Sequence, residues 1–185
     1  LAPGNLLIFA TGALAGSPVW GSSRYGVFTK SPLTGFYAES YSGGRVAEAI
    51  SATGFDAIVI SGQAAALTVL EIDPGGVVFH EAGILAGKDT FETETMVSKQ
   101  FCSDKKRTRQ WKTGAVVTGP AAENLCRFAI IKNDGWRCAG RTGTGTVMGS
   151  KRIKAVIFSG DQKRKLYDPG TLSSLAGELA AESRD

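Results

Sequence analysis

"TGPAAENLCRFAIIKNDGWRCAGRTGTGTVMGSKRIKAVIFSG" spans residues 118–160, and it carries the most information about the fold because an earlier segment resembles it. That earlier segment, residues 11–62, contains "TGALAG", "RYGVFTKSPLTG" and "SGGRVAEAISATGFDAIVISG". Both segments run from a Thr-Gly turn through an Arg-aromatic segment and a Gly-rich helix start to a strand that ends in Ser-Gly. The sequence therefore predicts an internal duplication with pseudo-two-fold symmetry, in which the two Gly-rich helix starts occupy equivalent places.

Short apolar runs bounded by Gly, Pro, Asp or Asn predict β-strands along most of the chain. These runs cover residues 6–10, 25–29, 56–62, 67–72, 77–81, 114–119, 126–131 and 153–160. Between two of them, Pro74-Gly75-Gly76 predicts a hairpin turn.

Three helices are predicted from periodicity and capping signals. The first covers residues 45–54 and ends at a glycine. The second covers residues 88–101 and opens with a capping box of Asp89 and Glu92. The third begins near Asp168-Pro169, with proline at its first position. Together with the strands, these helices predict an α+β fold of mixed β-sheets with a few helices.

Composition limits the class of protein. At 185 residues, 43% hydrophobic and 21% charged, the chain has the make-up of a soluble globular domain. Its net charge of +4 suits an anionic partner but is too small to indicate nucleic acid by itself. The cysteines at 102, 126 and 138 form no CxxC pair, and no run of 18 apolar residues occurs, so we expect a cytoplasmic protein without a membrane span. Because the chain begins at Leu1, in "LAPGN", we expect a fragment of a longer protein.

The run "RCAGRTGTGTVMGSK" (137–151) has the densest set of candidate ligand residues. Arg137 and Arg141 can hold a phosphate through bidentate hydrogen bonds, and a helix beginning near Thr144 would offer backbone amides to an anion. Two nucleotide motifs nearly match. "GTGTVMG" is one residue longer than the dinucleotide fingerprint and follows no strand directly, and "GTVMGSK" has Gly-Ser-Lys where a P-loop needs Gly-Lys-Ser/Thr. These departures favour a phosphate-bearing ligand other than a nucleotide, and the alternative is a structural glycine turn.

Three further features favour structural interpretations. Arg24 and Arg127 each begin an Arg-aromatic segment, where a surface role is the simpler interpretation for either residue alone. His80, the only histidine, has no carboxylate and cysteine in register, which favours a packed or surface residue over a catalytic base. The basic run "SDKKRTRQWK" (103–112) resembles single-strand nucleic-acid binders, but a solvated loop is the commoner structure, so we predict no nucleic-acid partner.

Taken in order, "TKSPLTG", "SGG", "GFDAIVISG", "GKDTFETE", "GPAAENLCRFA", "NDGWRCAGR" and "GTVMGSK" resemble the N-terminal domain of the tungsten-containing aldehyde ferredoxin oxidoreductase family. The resemblance covers about residues 1–160. It implies an internally duplicated α+β base on which two pyranopterin dithiolene (molybdopterin) molecules coordinate one tungsten. Residues 161–185 would be a linker and the start of a following helical domain, and the first strands of the N-terminal domain would be missing.

Carried over by motif, the resemblance implies pterin contacts in both segments. The residues are Arg24 of "GSSRY", Tyr41 and Gly43 of "YSGG", and Arg137, Cys138, Gly140 and Arg141 of "RCAGR". The backbone carbonyls of Tyr41 and Cys138 would hold a magnesium ion that links the pterin phosphates. The family commonly has Asn in place of Tyr41 and Ala in place of Cys138, so Tyr41 adds bulk beside the cofactor. Neither a catalytic residue nor a cluster cysteine is assigned to this domain.

The implied whole enzyme oxidises aldehydes to carboxylic acids and passes electrons to ferredoxin through a 4Fe-4S cluster in its later domains. A homodimer is one expected assembly. The nearest alternative is a benzoyl-CoA type reductase of aromatic rings, which shares this domain. A non-catalytic module that binds a phosphorylated ligand is the alternative from another class. The isolated fragment is expected to bind no tungsten and to be inactive.

Overall fold

The structure is a computed structural model that describes residues 1–101 and 110–183. The strands in these residues are β1 Leu7–Thr11, β2 Arg24–Lys30, β3 Tyr37–Gly43, β4 Ala57–Ile60, β5 Thr68–Asp73, β6 Gly76–Glu81, β7 Lys112–Val117, β8 Ile131–Asn133, β9 Arg137–Ala139 and β10 Ile153–Gly160. The helices are α1 Arg45–Ala52, α2 Thr90–Phe101, α3 Pro120–Glu123, α4 Thr144–Ser150 and α5 Pro169–Glu182, with short 3-10 helices at Gly83–Leu85 and Arg141–Gly143. The predicted α+β class with mixed sheets is confirmed. Across the described residues, no helix is long and apolar enough to cross a membrane.

Sheet A consists of β3, β2, β1 and β4 in that order, and every neighbouring pair is antiparallel. Its side chains alternate between a buried and an exposed face, as a half-buried sheet requires. Leu7 and Phe9 of β1 are fully buried, whereas Tyr37, Glu39 and Tyr41 of β3 are exposed on the opposite, outer face.

Sheet B consists of β6, β5, β10, β7, β8 and β9 in that order. All its pairs are antiparallel except β5 with β10, which are parallel. Every residue of β10, "IKAVIFSG", is buried, because this central strand has a packed layer on both faces.

The main core lies between the inner faces of the two sheets. Phe9 of sheet A meets Phe158 of sheet B edge to face, with ring centroids 5.6 Å apart. Helix α1 adds Val46 and Ile50 to this core. A second, smaller core lies on the outer face of sheet B, where Val97 of α2 and Leu85 pack against Ala155 and Ile157.

Sheet A and four strands of sheet B share one arrangement. In each of the sets β1–β4 and β7–β10, the first strand lies between the second and the fourth and is antiparallel to both. The third strand pairs with the other edge of the second, so both sets have the order third, second, first, fourth. In both sets a helix, α1 or α4, joins the third strand to the fourth. This shared order is what the predicted duplication requires; the duplication itself stays a prediction.

The local signals for α2 and for the β5–β6 hairpin are confirmed in detail. The Asp89 carboxylate accepts the Glu92 amide at 2.8 Å while the Glu92 carboxylate accepts the Asp89 amide at 3.1 Å, which completes the capping box. In the hairpin, the Asp73 carboxylate accepts the amide of Gly75 at 2.8 Å. Asp73 lies opposite Gly76 in the register.

One strand prediction is wrong, and three strands went unpredicted. Residues 126–130 of the predicted strand 126–131 belong to no strand, and only Ile131 enters β8. Parts of the backbone of this segment lie against Gly143 and Gly145 at the start of α4 and not beside a strand. The unpredicted strands are β3, β8 and β9, whose polar and small residues give no apolar run.

Beyond β10 the chain remains attached to the domain through Arg164. Its guanidinium donates to Asp56 at 2.7 Å, to Thr11 at 3.1 Å and to Ser51 at 3.2 Å. Helix α5 then begins at Pro169, as predicted, and is largely exposed. The boundary at residue 160 between two domains stays a prediction.

Candidate cofactor site

The two segments with the predicted ligand residues lie side by side. The edge of β3 in sheet A contacts β9 and the following 3-10 helix in sheet B. This contact brings the "YSGG" segment, residues 41–44, next to "RCAGR", residues 137–141. Segments far apart in the sequence therefore form one surface, as the resemblance implies.

Asn133, which is fully buried, joins the two segments with all its hydrogen-bonding groups. Its Oδ1 accepts from the Tyr25 hydroxyl at 2.7 Å and from the Ser42 hydroxyl at 3.0 Å. Its Nδ2 donates to the carbonyl oxygen of Gly43 at 2.9 Å and to the Asp134 carboxylate at 3.0 Å. A satisfied buried amide of this kind fixes the relative position of the segments it joins.

The next residue, Asp134, caps the helix that follows the "YSGG" segment. Its Oδ2 accepts the backbone amide of Arg45, the first residue of α1, at 2.7 Å. Gly44 precedes that helix with φ of 100°, and a Cβ there would lie 2.1 Å from Asp134 Oδ2 and 2.8 Å from Arg137 Cδ. Only glycine satisfies both the backbone conformation and this close approach.

Two arginines flank the backbone of Gly43. A Cβ on Gly43 would lie 3.4 Å from Arg137 Nη1 and 3.4 Å from Arg24 Cδ, so both side chains cover this glycine. Within residues 1–101 and 110–183, neither of these two residues nor Arg141 takes part in an ion pair. All three are exposed. The surface therefore presents guanidinium groups that form no ion pair among the described residues and lie close together over the buried Gly43, which is an arrangement suited to phosphate.

The Tyr41 side chain points along the outer face of sheet A. Its ring meets Phe28 edge to face, with centroids 6.0 Å apart, and covers Gly26 in β2. The pKa of the Tyr41 phenol is raised, mainly by a hydrogen bond to Glu39. The Gly43 carbonyl points away from β2, towards Asn133. Carbonyl groups two residues apart in a strand point to the same side, so the Tyr41 carbonyl also points away from β2.

The remaining predicted residues follow in and after β9. Cys138 is exposed and lies opposite Lys132 of β8. Gly140 packs under Ile130, because a Cβ there would lie 2.4 Å from its side chain. The Arg141 amide donates to the Ser40 hydroxyl at 3.0 Å, which attaches this segment to β3 at a second point.

The "TKSPLTG" motif also contacts this region. The Ser31 hydroxyl donates to the carbonyl oxygen of Thr142 at 2.7 Å and accepts the amides of Leu33 and Thr34 at 3.0 and 3.1 Å. Thr142 has a left-handed backbone, with φ of 64°, at the point where the 3-10 helix turns into α4. The motif therefore stabilises the chain just after Arg141.

The expectation that the start of α4 offers free amides to an anion is wrong. The amide of Gly145 donates to the carbonyl of Ala129 at 3.0 Å, and the first turn of α4 is buried. A Cβ on Gly143 would lie 1.9 Å from the Arg127 carbonyl oxygen, and one on Gly145 would lie 2.3 Å from that of Ile130. These glycines therefore allow the helix to pack closely against the backbone of the preceding segment.

The other sequence candidates contribute nothing to this surface. His80 is half-buried and lies 2.9 Å from the Glu71 carboxylate on the neighbouring strand, a pairing that the sequence did not predict. Most of the basic run 103–112 lies outside the described residues. In the part of the chain that the structure describes, no group of three His, Cys, Asp or Glu residues could hold a metal ion.

Sequence reasoning missed the residues that hold the two segments together. Asn133, Asp134 and Ser40 each hydrogen-bond from one segment to the other. The available signal was the "ND" immediately before the Gly-Trp-Arg of the second segment, since Asn and Asp often bond to backbone groups beside turns.

Comparison with known proteins identifies relatives of this chain. The profile described as "Aldehyde ferredoxin oxidoreductase, N-terminal domain" matches residues 1–160. The tungsten-containing aldehyde ferredoxin oxidoreductase of Pyrococcus furiosus is 40% identical over 168 residues, which is 91% of this chain and 27% of that protein. The WOR-like subunit of an aliphatic sulfonate oxidoreductase from the same organism is 28% identical over 96% of this chain and 29% of its own length.

A solved structure is similar along nearly the whole chain. It is the active site complex BamBC of benzoyl coenzyme A reductase with 1,5-dienoyl-CoA, with a TM-score of 0.88 and 32% identity over 98% of this chain. The chain spans 27% to 29% of the length of these three relatives. By its sequence profile and its close relatives, the chain belongs to the family of aldehyde ferredoxin oxidoreductase N-terminal domains.

Proposed function

We propose that this chain is the cofactor base of a tungsten-pterin oxidoreductase, and that the surface around Gly43 holds the phosphates of the pterins. The observation that carries the proposal is that Arg24 and Arg137 come together over Gly43, since a Cβ there would lie 3.4 Å from a side-chain atom of each. The names of the relatives support the metal, because four of them are tungsten-containing enzymes.

The residues present fit such a group. Arg24 and Arg137 would each hold phosphate oxygens through paired N–H donors, with Arg141 at the rim. The carbonyls of Tyr41 and Cys138 would be the ligands of a magnesium ion between the phosphates, since magnesium prefers oxygen ligands. Bound tungsten would supply reversible two-electron redox chemistry to the completed enzyme.

The contribution of this chain is binding and orientation. Guanidinium groups remain charged at all physiological pH values, so they neutralise phosphate without exchanging protons. The Asn133 hydrogen bonds and the Asp134 cap hold the two segments at a fixed spacing before a ligand arrives. Such preorganisation reduces the entropy that binding would otherwise cost. The chain is therefore proposed to position the cofactor and to take no part in proton transfer.

For the whole protein we propose oxidation of aldehydes to carboxylic acids with ferredoxin as electron acceptor. The similarity to aldehyde ferredoxin oxidoreductases over 91% of the chain supports this activity. A 4Fe-4S cluster would bind to parts of the polypeptide outside these 185 residues.

Reduction of an aromatic thioester is the second candidate, and the similarity to the benzoyl coenzyme A reductase complex supports it. The two activities separate in one assay of the full-length protein. Aldehyde-dependent reduction of ferredoxin supports the first candidate. Turnover of an aromatic coenzyme A thioester without aldehyde oxidation supports the second.

The cofactor proposal is tested with the full-length protein carrying Arg24→Gln or Arg137→Gln. Each change removes one charge-assisted contact, so we expect about a tenfold or larger loss of retained tungsten and pterin. Tungsten is measured by elemental analysis and pterin by fluorescence after oxidation. Lys165→Gln, which removes an exposed charge after β10, is the matched control. Wild-type tungsten and pterin content in both arginine variants would contradict the proposal.

A further inference from the structure

The β8–β9 hairpin, which carries Arg137, is held from two sides. On one side Asn133 and Asp134 attach it to the "YSGG" segment and to α1. On the other side lies helix α2, whose Glu94 carboxylate accepts the backbone amide of Gly135 at 3.1 Å through one oxygen and at 3.2 Å through the other. Glu94 therefore contacts the hairpin two residues before Arg137.

The turn of this hairpin has an unusual backbone. Asp134 and Gly135 are both left-handed, with φ of 46° and 76°. A residue other than glycine adopts this conformation at a cost, so contacts in the folded protein must hold it. Arg137 follows directly after the turn and lies opposite Asn133 in the register. A change in the turn therefore changes the position of Arg137.

The charge of Glu94 is neutralised by Lys132. The Lys132 ammonium donates to the Glu94 carboxylate at 2.8 Å and lies 3.7 Å from the centre of the Phe91 ring. Only 5% of the Lys132 side chain and 19% of the Glu94 side chain are exposed. An unpaired carboxylate beside a phosphate surface would repel the ligand, because like charges repel most strongly where water is scarce. The ion pair lets Glu94 accept the turn amide without adding net negative charge.

Helix α2 is itself fixed to sheet B, so it can serve as a base for the hairpin. Val97 of the helix is fully buried in the second core. The ammonium of Lys154, a fully buried residue of β10, donates to the carbonyl of Lys88 just before the helix at 2.8 Å. In the first turn of α2, the ring of Phe91 meets Trp136 edge to face with centroids 4.9 Å apart, which gives the helix a second contact with the hairpin.

We propose that Glu94 is a positioning residue of the phosphate surface. By accepting the Gly135 amide it holds the turn against α2, and with Asn133 on the other side it fixes the position of Arg137. The inference rests on the proposed function, because it requires that Arg137 binds a pterin phosphate. A guanidinium held in place before the ligand arrives loses less entropy on binding. Loss of the Glu94 contact therefore lowers cofactor retention although no ligand residue changes.

Two double variants of the full-length protein isolate the contact between Glu94 and the turn. Both carry Lys132→Met, so that neither leaves a buried charge without its partner. Glu94→Gln/Lys132→Met keeps an acceptor oxygen for the Gly135 amide, whereas Glu94→Leu/Lys132→Met has a side chain of similar size without an acceptor. We expect the glutamine variant to retain tungsten and pterin within about twofold of the wild type, and the leucine variant to retain at least about fivefold less. Equal cofactor content in the two variants would overturn the positioning role.

Hydrogen exchange reports the contact itself, independently of the cofactor. We expect the Gly135 amide to exchange at least about tenfold faster in the leucine variant than in the glutamine variant. Equal exchange of this amide in the two variants would also overturn the inference, because any loss of tungsten would then arise outside the turn.

Arg137→Gln in the same series separates this inference from the proposed function. Loss of tungsten from the Arg137→Gln protein, together with retention by the leucine variant, would contradict the role of Glu94 alone. Retention of tungsten by the Arg137→Gln protein would overturn the phosphate contact of Arg137 and, with it, the role of Glu94.

Discussion

The Nδ2 group of Asn133 donates a hydrogen bond of 2.9 Å to the carbonyl oxygen of Gly43, and this bond joins the two sheets at the candidate cofactor surface. The bond holds the "YSGG" segment beside the β8–β9 hairpin. The spacing between Arg24 and Arg137 therefore depends on a buried amide that is not itself one of the proposed ligand residues.

Replacement of Asn133 by leucine should destabilise the domain. The change removes partners of Tyr25, Ser42 and Gly43 inside the protein, so we expect the free energy of unfolding to fall by about 3 kcal/mol. Urea unfolding of the 185-residue chain measures this loss. Asn124→Leu is the control, because the Asn124 side chain is exposed and, among the described residues, donates a hydrogen bond only to the carbonyl of Pro120. A loss no larger than that of the control would show that the buried amide does not hold the sheets together.

Gly44→Ala should disturb the surface without removing any charged group. With φ of 100° the alanine is strained by about 1–3 kcal/mol, and its methyl group collides with Asp134 and Arg137. We expect lower stability and also loss of tungsten from the full-length protein, because Arg137 must move. Gly12→Ala, where nothing lies within 4 Å and φ is ordinary, should change neither quantity. Unchanged tungsten content in the Gly44→Ala protein would show that the position of Arg137 does not matter for holding the cofactor.

The parts of the fold that follow from the sequence are those with a strong local signal. β1, β5 and β10 are apolar runs, and the capping box of α2 is read directly from Asp89 and Glu92. β3 reverses the usual pattern, because small Ala38 and Ser42 face the core while tyrosines face outward. An apolar pattern therefore could not reveal this strand.

The ligand residues named from the motifs stay predictions, and the residues that support them could not be predicted from the sequence. The motifs named Arg137 and Arg141, but the hydrogen bonds of Asn133 and Asp134 depend on tertiary contacts across about ninety residues of sequence. The strand prediction for residues 126–131 failed for a related reason. The apolar residues of this segment indicate a strand, yet its backbone lies against Gly143 and Gly145, and this contact depends on the tertiary structure.

Alkaline pH should weaken folding through Tyr25. Burial raises the pKa of this phenol in the folded protein, so the unfolded chain releases the proton first. Folding stability is complete below the ordinary tyrosine pKa of about 10 and falls above it, by about 1.4 kcal/mol for each pH unit. The test is urea unfolding at a series of pH values above 10. The free energy of unfolding should fall more steeply with pH for the wild type than for Tyr25→Phe, by the equivalent of one proton. Tyr167→Phe, which removes a fully exposed phenol, is the comparison variant. Parallel slopes in the wild type and Tyr25→Phe would exclude this phenol as the cause.

The same substitution should have opposite effects at two helical glycines. Alanine normally stabilises a helix by about 1 kcal/mol relative to glycine. At Gly177 in α5 an added Cβ meets nothing within 4 Å, so Gly177→Ala should raise the free energy of unfolding of the 185-residue chain by about that amount. At Gly149 in α4 the Cβ would lie 2.1 Å from the carbonyl oxygen of Ala122, and a backbone atom cannot move aside. Gly149→Ala should therefore lower stability by about 1–3 kcal/mol in spite of the better helix propensity. A stabilising effect at both positions would mean that α3 and α4 are not in close backbone contact, and the structural role assigned to the glycines of "GTGTVMG" would then be wrong.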